Sequence, residues 1–166
     1  DFDRCRRAID AVLAHPAARA LLDGATIEQS FFWADARYVV PCKARMDARN
    51  HGGIIDLKTT QDSSPEAFAR SAASFQYHVQ TATYNSAHEH LLDSSMAFFA
   101  FIAVETEPPY GVACYTMRSD AVRAGAYLYN VAAERYAEAL RTGVFKGYPE
   151  TIQSLKFPQW AMKFDL

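Results

Sequence analysis

Asp56 and Lys58 stand two residues apart in Gly53-Ile54-Ile55-Asp56-Leu57-Lys58-Thr59-Thr60, a segment otherwise apolar and β-branched. Strand alternation puts Ile54, Asp56 and Lys58 on one face and Ile55 and Leu57 on the other. A carboxylate and an ammonium in so apolar a strand would each cost on the order of several kcal/mol if buried unpaired. Taken alone, D-x-K is commoner as a self-satisfied surface pair on an edge strand. Upstream, Cys42-Lys43-Ala44-Arg45-Met46-Asp47 reads as a second strand with Lys43, Arg45 and Asp47 on one face. Pairing across the His51-Gly52 turn brings Asp47 and Asp56 side by side at one end of a sheet. Two carboxylates that close raise each other's pKa unless a cation lies between them. A hard divalent ion with oxygen ligands removes that penalty, and Mg²⁺ is the usual occupant where phosphate is the substrate. Lys58 would face the same ion and its water.

Gln80 and Tyr84 are spaced i, i+4 and so share one face of the helix expected after the D-x-K strand; alone they read as polar decoration of an amphipathic helix. Glu28 leads into the aromatic strand Phe31-Phe32-Trp33 and by itself reads as a solvated position. His88 and His90 flank Glu89, where H-x-H could hold a metal but is commoner as a solvated helix end. His51 is a turn residue, and Gly52-Gly53 is a hairpin turn rather than a phosphate-binding loop. The Phe98-Phe99-Phe101 cluster and Tyr127, Tyr129 and Tyr136 read as core or subunit-contact material.

The elements that must position these residues follow from pattern and punctuation. Asp3 to Leu13 reads as a helix, interrupted by Pro16 before a second short helix that ends near Asp23-Gly24. Three strands follow, Thr26–Trp33, Tyr38–Asp47 and Gly53–Thr60, separated by turn composition. Ser64-Pro65-Glu66 opens a helix, Ser64 as N-cap, that is expected to run to Glu89 with Phe68, Ala72, Phe75, Val79 and Ala82 on one face. Met96–Val104 is a continuous apolar strand of the kind buried on both faces, and Tyr110–Met117 is another strand. Ser119 or Asp120 caps a long final helix through Leu140, stopped by Gly143. The aromatic tail from Tyr148 to Leu166 is expected to pack as a short helix against the body. Helices, three strands, helix, two strands, helix: that order predicts an α/β fold, a mixed central sheet flanked by helices.

Composition narrows the classes further. The 166 residues, half of them apolar and 22% charged, fit one folded domain. The net charge of −2 means that any nucleic-acid surface must be a local patch. No uncharged apolar run reaches the roughly 18 residues of a membrane span. Charges interrupt any leader-like stretch at the N-terminus. Three cysteines, Cys5, Cys42 and Cys114, lie far apart in no metal-type spacing. They argue against a disulfide scaffold, a zinc ribbon or an iron–sulfur cluster, and for a reducing compartment, hence a cytoplasmic location.

Together the blocks Pro41-Cys42-Lys43-Ala44-Arg45-Met46-Asp47, Ile54-Ile55-Asp56-Leu57-Lys58-Thr59-Thr60 and Tyr77-His78-Val79-Gln80-Thr81-Ala82-Thr83-Tyr84 resemble the PD-(D/E)xK nuclease superfamily. More narrowly they are similar to the phage and prophage recombination exonucleases of the exodeoxyribonuclease VIII type. Leu155 to Ala161 adds a weaker match, and Met46 stands where the family often has proline. The resemblance implies a restriction-endonuclease-like core, with residues 1–166 as one nuclease domain without the upstream helical segment that carries a motif histidine in related enzymes. It implies Mg²⁺, for which Mn²⁺ can substitute, on Asp47, Asp56 and the Leu57 carbonyl, with Glu28 as the extra acidic ligand. Lys58 would orient the attacking water, Gln80 and Tyr84 would position the nucleotide or the water, and Lys43 and Arg45 would meet the DNA backbone. The implied activity is 5′-to-3′ digestion of double-stranded DNA ends, leaving 3′ single strands for homologous recombination. The implied partners are further copies of the chain in a ring around DNA and a single-strand annealing protein; no membrane is implied. The alternative from another class is a DNA-binding or assembly module of the same fold without turnover.

Overall fold

The computed structural model describes residues 2–50, 52–92 and 97–162, with residues 90–92 and 160 described in backbone only. The expected turn at His51, the His90 side chain of H-x-H and the start of the fourth strand at Met96 lie outside that description. Helices α1 (Phe2–Ala14) and α2 (Pro16–Leu22) lead into strands β1 (Thr26–Ala34), β2 (Pro41–Arg49) and β3 (Gly53–Thr60). Helices α3 (Pro65–Ser74) and α4 (Tyr77–Leu92) cross over to β4 (Phe98–Glu105), and β5 (Val112–Thr116) and helix α5 (Ser119–Thr142) follow. The five strands lie in sequence order, β3 parallel to β4 and the other neighbours antiparallel.

Alternation along β3 and β4 divides the core in two. Ile54, Phe99, Phe101 and Ala103 face Phe68 of α3 and Ala87 of α4. Ile55, Ile102 and Val104 face Val12 of α1 and Ala18 of α2. Asp56 and Lys58, in step with Ile54, therefore belong to the side covered by α3 and α4. Helix α4 is itself roofed by α5. A Cβ on Gly125 would lie 2.0 Å from the His78 carbonyl oxygen, so the two backbones touch where only glycine fits.

Three expectations are corrected. The single helix from Ser64 to Glu89 is two, broken at Phe75 and Gln76, where Gln76 takes a left-handed φ of 55°. Phe68 and Tyr77 are nine residues apart, and at about 100° per residue an unbroken helix would put them on opposite faces. The break lets both rings meet Phe101, at 5.9 and 5.6 Å between centroids. It also turns Phe75, expected inside, out to 71% exposure. At α5 the N-cap is Arg118, whose guanidinium holds the Asp120 carboxylate, so neither Ser119 nor Asp120 caps the helix. Gly143 ends it in the left-handed conformation as expected. Among its described residues the tail does not pack against the body: Tyr148, Ile152 and Leu155 stand exposed, and there only a 3₁₀ turn forms, at Gln159–Met162. Pro149 and Pro158 each remove a backbone donor and hold φ fixed, which disfavours a helix between them.

Because Gly125 sets how closely α5 presses α4 to the sheet, Gly125→Ala should destabilise the protein by about 1–3 kcal/mol. A urea-unfolding midpoint unchanged by the substitution would show that the two helices do not touch there.

Candidate active site

Asp56 is 2% exposed. Gln80 of α4 donates from Nε2 to Asp56 Oδ1 at 2.6 Å, and the Lys58 ammonium lies 2.5 Å from Oδ2. Burial is the largest influence on this carboxyl and pushes its pKa above the ordinary range; the neighbouring charge of Asp47 pushes the same way, and Lys58 and Gln80 oppose them. Lys58 in turn lies over the Tyr77 ring, 4.7 Å from its centre. An aromatic face beneath an ammonium offsets part of the hydration it gives up.

Asp47 reaches the site through a fork in the sheet. Strands β2 and β3 pair only at Ala48–Ile55 and Arg49–Ile54, and the next rung would set Asp47 against Asp56. There the ladder opens, and the Leu57 N–H donates instead to Asp47 Oδ2 at 2.8 Å. Strand β2 also changes sides here. Met46 packs in the core under α3 and α4, whereas Ala48, two residues on, packs in the opposite one. Asp47 thus sits at the switch rather than in line behind Lys43 and Arg45, which corrects the expectation of one shared face. On the other flank the β1–β2 ladder misses the rung between Glu28 and Asp47, and Glu28 has a left-handed φ of 56°.

The remaining candidates are placed unevenly. Tyr84 shares the expected face of α4 with Gln80, but its hydroxyl donates to the Arg45 carbonyl at 3.0 Å and its ring packs on Phe99. It fastens α4 to β2. Lys43 and Arg45 are exposed, and Arg45 Nε donates to the Glu28 carboxylate. Among the described residues no three His, Cys, Asp or Glu side chains gather around one point, and the Glu28 carboxylate is held by Arg45. His88 is buried, not the solvated helix end expected of it. Tyr77 escaped the sequence reading as a site residue, although it lies three residues before Gln80 on the same helix face.

A hard cation fits the residues present. Asp56 Oδ2 is buried and, apart from the Lys58 ammonium 2.5 Å away, meets no donor among the described residues. Asp47 adds a second carboxylate, and all the donors are oxygen, the chemistry that Mg²⁺ and Mn²⁺ take.

Set against known proteins, a family model described as a PDDEXK-like domain of unknown function (DUF3799) matches residues 1–158. No protein of curated function matches the sequence. A candidate exonuclease from Eubacterium rectale superposes with a TM-score of 0.72 at 10% identity, over 99% of this chain and 66% of that one. The chain thus spans about two thirds of that neighbour's length, and what they share is an α/β restriction-endonuclease-like core. The structure of SSO0001 superposes at 0.40 with 18% identity, over 79% of this chain and 67% of that one. Among the described residues no helix is long and apolar enough to cross a membrane.

The raised pKa of Asp56 carries a signed consequence for the metal-free protein. An acid whose folded pKa lies above its unfolded value holds more protons folded than unfolded between the two, so stability falls as pH rises through that window. With chelator present, the melting temperature of Asp56→Asn minus that of the parent should therefore climb with pH from the ordinary value of 3.8 and then level off. A difference flat with pH would mean that Asp56 titrates as a solvated carboxylate.

Proposed function

Since the chain belongs to the PDDEXK-like family, we propose that it is a Mg²⁺-dependent 5′-to-3′ exonuclease of double-stranded DNA, of the exodeoxyribonuclease VIII type. Its product would be the 3′ single strand that homologous recombination uses. The observation that carries this is the buried Asp56 carboxylate, gripped by Gln80 and Lys58, with Asp47 at the adjoining fork. The exonuclease description of the Eubacterium rectale neighbour supports it through the fold alone.

Asp47, Asp56 and the Leu57 carbonyl would hold the ion, with Mn²⁺ able to replace Mg²⁺. When bound, the ion supplies Lewis acidity at the phosphoryl oxygen, a lowered pKa for its water and charge stabilisation at the leaving 3′-oxygen. Gln80 pins Asp56 Oδ1 and so leaves Oδ2 as the oxygen turned to a cation. Lys58, flanked by Asp56 and the Tyr77 ring, can orient the attacking water while its charge offsets that which grows on phosphorus. Tyr84 is a positioning residue: by holding the Arg45 carbonyl it fixes β2 against α4. Both members of the Arg45–Glu28 pair are at least half exposed, so it is worth little and Arg45 can exchange its carboxylate for a DNA phosphate. Further copies of the chain in a ring, and a single-strand annealing protein, complete the proposal; a ring would hold a subunit of net charge −2 on its DNA.

Linear 5′-phosphorylated duplex should disappear in Mg²⁺ and survive in EDTA, while closed circular duplex survives both. Asp47→Ala and Asp56→Ala should abolish turnover. Lys58→Ala should slow it roughly 100-fold or more while DNA binding in Ca²⁺ persists. Digestion that ignores EDTA, or Lys58→Ala at the parent rate, would overturn the assignment. Wild-type protein that binds DNA without turnover would instead favour a non-catalytic module.

DNA binding measured against salt in Ca²⁺ tests the phosphate contacts. Arg45→Ala and Lys43→Ala should each lower the salt slope by about one unit. Slopes equal to the parent's would put the DNA track on another face.

A further inference from the structure

Beside Lys58 the molecule has an open groove of about 710 Å³. One wall is the continuation of β3 through Thr59 and Thr60; the other is formed by Arg70, Ser71, Phe75 and Tyr77. Tyr77 joins this groove to the candidate site. Its ring lies 4.7 Å below Lys58 Nζ and stacks on the Phe75 ring at 5.9 Å between centroids, with 19° between planes. The aromatic surface thus runs outward from the lysine to Phe75, whose outer face is open to solvent.

The helix break explains Tyr77 but not Phe75. Turning Tyr77 towards Phe101 required a left-handed Gln76, and a non-glycine residue in that region costs on the order of 1 kcal/mol or more. Nothing in that packing requires the residue before it to be a large aromatic at 71% exposure. Polar groups suited to a sugar and a phosphate surround it. Thr59 and Ser71 bring hydroxyls, while that of Thr60 already donates to the Asp62 carbonyl at 3.0 Å; Arg70 is exposed and, though the Asp62 charge lies within its electrostatic reach, closes no ion pair among the described residues. Asp62 also lines the groove, but its carboxylate already accepts the Ser64 N–H at 2.8 Å.

We propose that this groove takes the unpaired nucleotide that adjoins the scissile phosphate, its base stacked on Phe75 and its backbone beside Arg70. The proposal rests on the nuclease reading, because it places the reacting phosphate at Asp56 and Lys58. The occupant is a frayed or single-stranded DNA end, since a base within a duplex has both faces covered and could not stack on a side chain. An aromatic face reads no base edge, so the subsite accepts any sequence.

The test uses a 5′-phosphorylated duplex with 2-aminopurine at its terminal nucleotide, and a second duplex abasic at that position. In Ca²⁺ the wild-type protein should change the 2-aminopurine emission through stacking. Phe75→Ala should lose that change and raise KM in Mg²⁺ about tenfold with kcat little altered. Phe75→Trp should recover both, and the abasic duplex should erase the difference between wild type and Phe75→Ala. Phe75 is exposed, so these variants should melt with the parent. If wild type digests DNA in Mg²⁺ while Phe75→Ala keeps both the emission change and the parent KM, the subsite is refuted and the nuclease reading stands. If wild type shows the Phe75-dependent emission change but no Mg²⁺-dependent digestion, the nuclease reading fails and with it the placement of the scissile phosphate.

Discussion

The Asp56 carboxylate, 2% exposed and level with Phe101 on the parallel neighbour β4, must be compensated, and the surrounding structure is arranged around that need. Removing one partner of a buried ion pair typically costs about 3–5 kcal/mol, because the other charge is left behind. Lys58 supplies the opposing charge and Gln80 the hydrogen bond. Tyr77 supplies a face for the lysine, which would otherwise bring its own desolvation penalty into the core. The compensation stops one step short of complete. Oδ2 has the Lys58 ammonium beside it and no second donor among the described residues, and Asp47 adds repulsion rather than relief. A site built only for stability would have had an apolar residue at position 56.

That arrangement depends on where α4 lies, and α4 is held from both sides. Beneath it, Tyr84 ties the helix to the backbone of β2; above it, the contact between Gly125 and His78 lets α5 press close. Thr81, Ala82, Ala87 and His88 are all buried, on two sides of the helix, which leaves Gln80 little room to move off Asp56. The sheet contributes the converse feature, a place where regular pairing ends. Beyond Ala48 and Ile55 the ladder opens, and the Leu57 N–H takes a side-chain carboxylate instead of a strand partner. Asp47 is thereby fixed by the same fork that brings it towards Asp56.

Much of this was legible in the sequence because it rests on short-range pattern. Alternation alone put Ile54, Asp56 and Lys58 on one face of a strand, and i, i+4 spacing put Gln80 and Tyr84 on one face of a helix. What alternation could not foresee was the change of sides at Asp47, since Met46 and Ala48 are both apolar whichever core they enter. Charge pattern could not say that Arg45 would take Glu28, a pairing across strands and seventeen positions. Helical periodicity read straight through Phe75 and Gln76, where no glycine or proline marks a break. The deciding contact there, of Phe68 and Tyr77 with the same Phe101 ring, is tertiary.

The misread places have something in common. Of the four non-glycine residues at positive φ among the described residues, Glu28 lies opposite Asp47 and Gln76 immediately precedes Tyr77, while Val39 and Tyr110 belong to the turns between strands. Two of the four therefore flank the buried pair, one on the sheet side and one on the helix side. Left-handed backbone at residues with a Cβ persists only where the surroundings over-determine it. Local rules fail most often where a fold gives up regularity for a site. On the sheet side, lost regularity opens the fork that holds Asp47. On the helix side, it turns Tyr77 under Lys58 and Phe75 towards solvent. The same irregularities that defeat a reading by period are thus what bring two carboxylates, a lysine and an aromatic surface to one edge of the molecule.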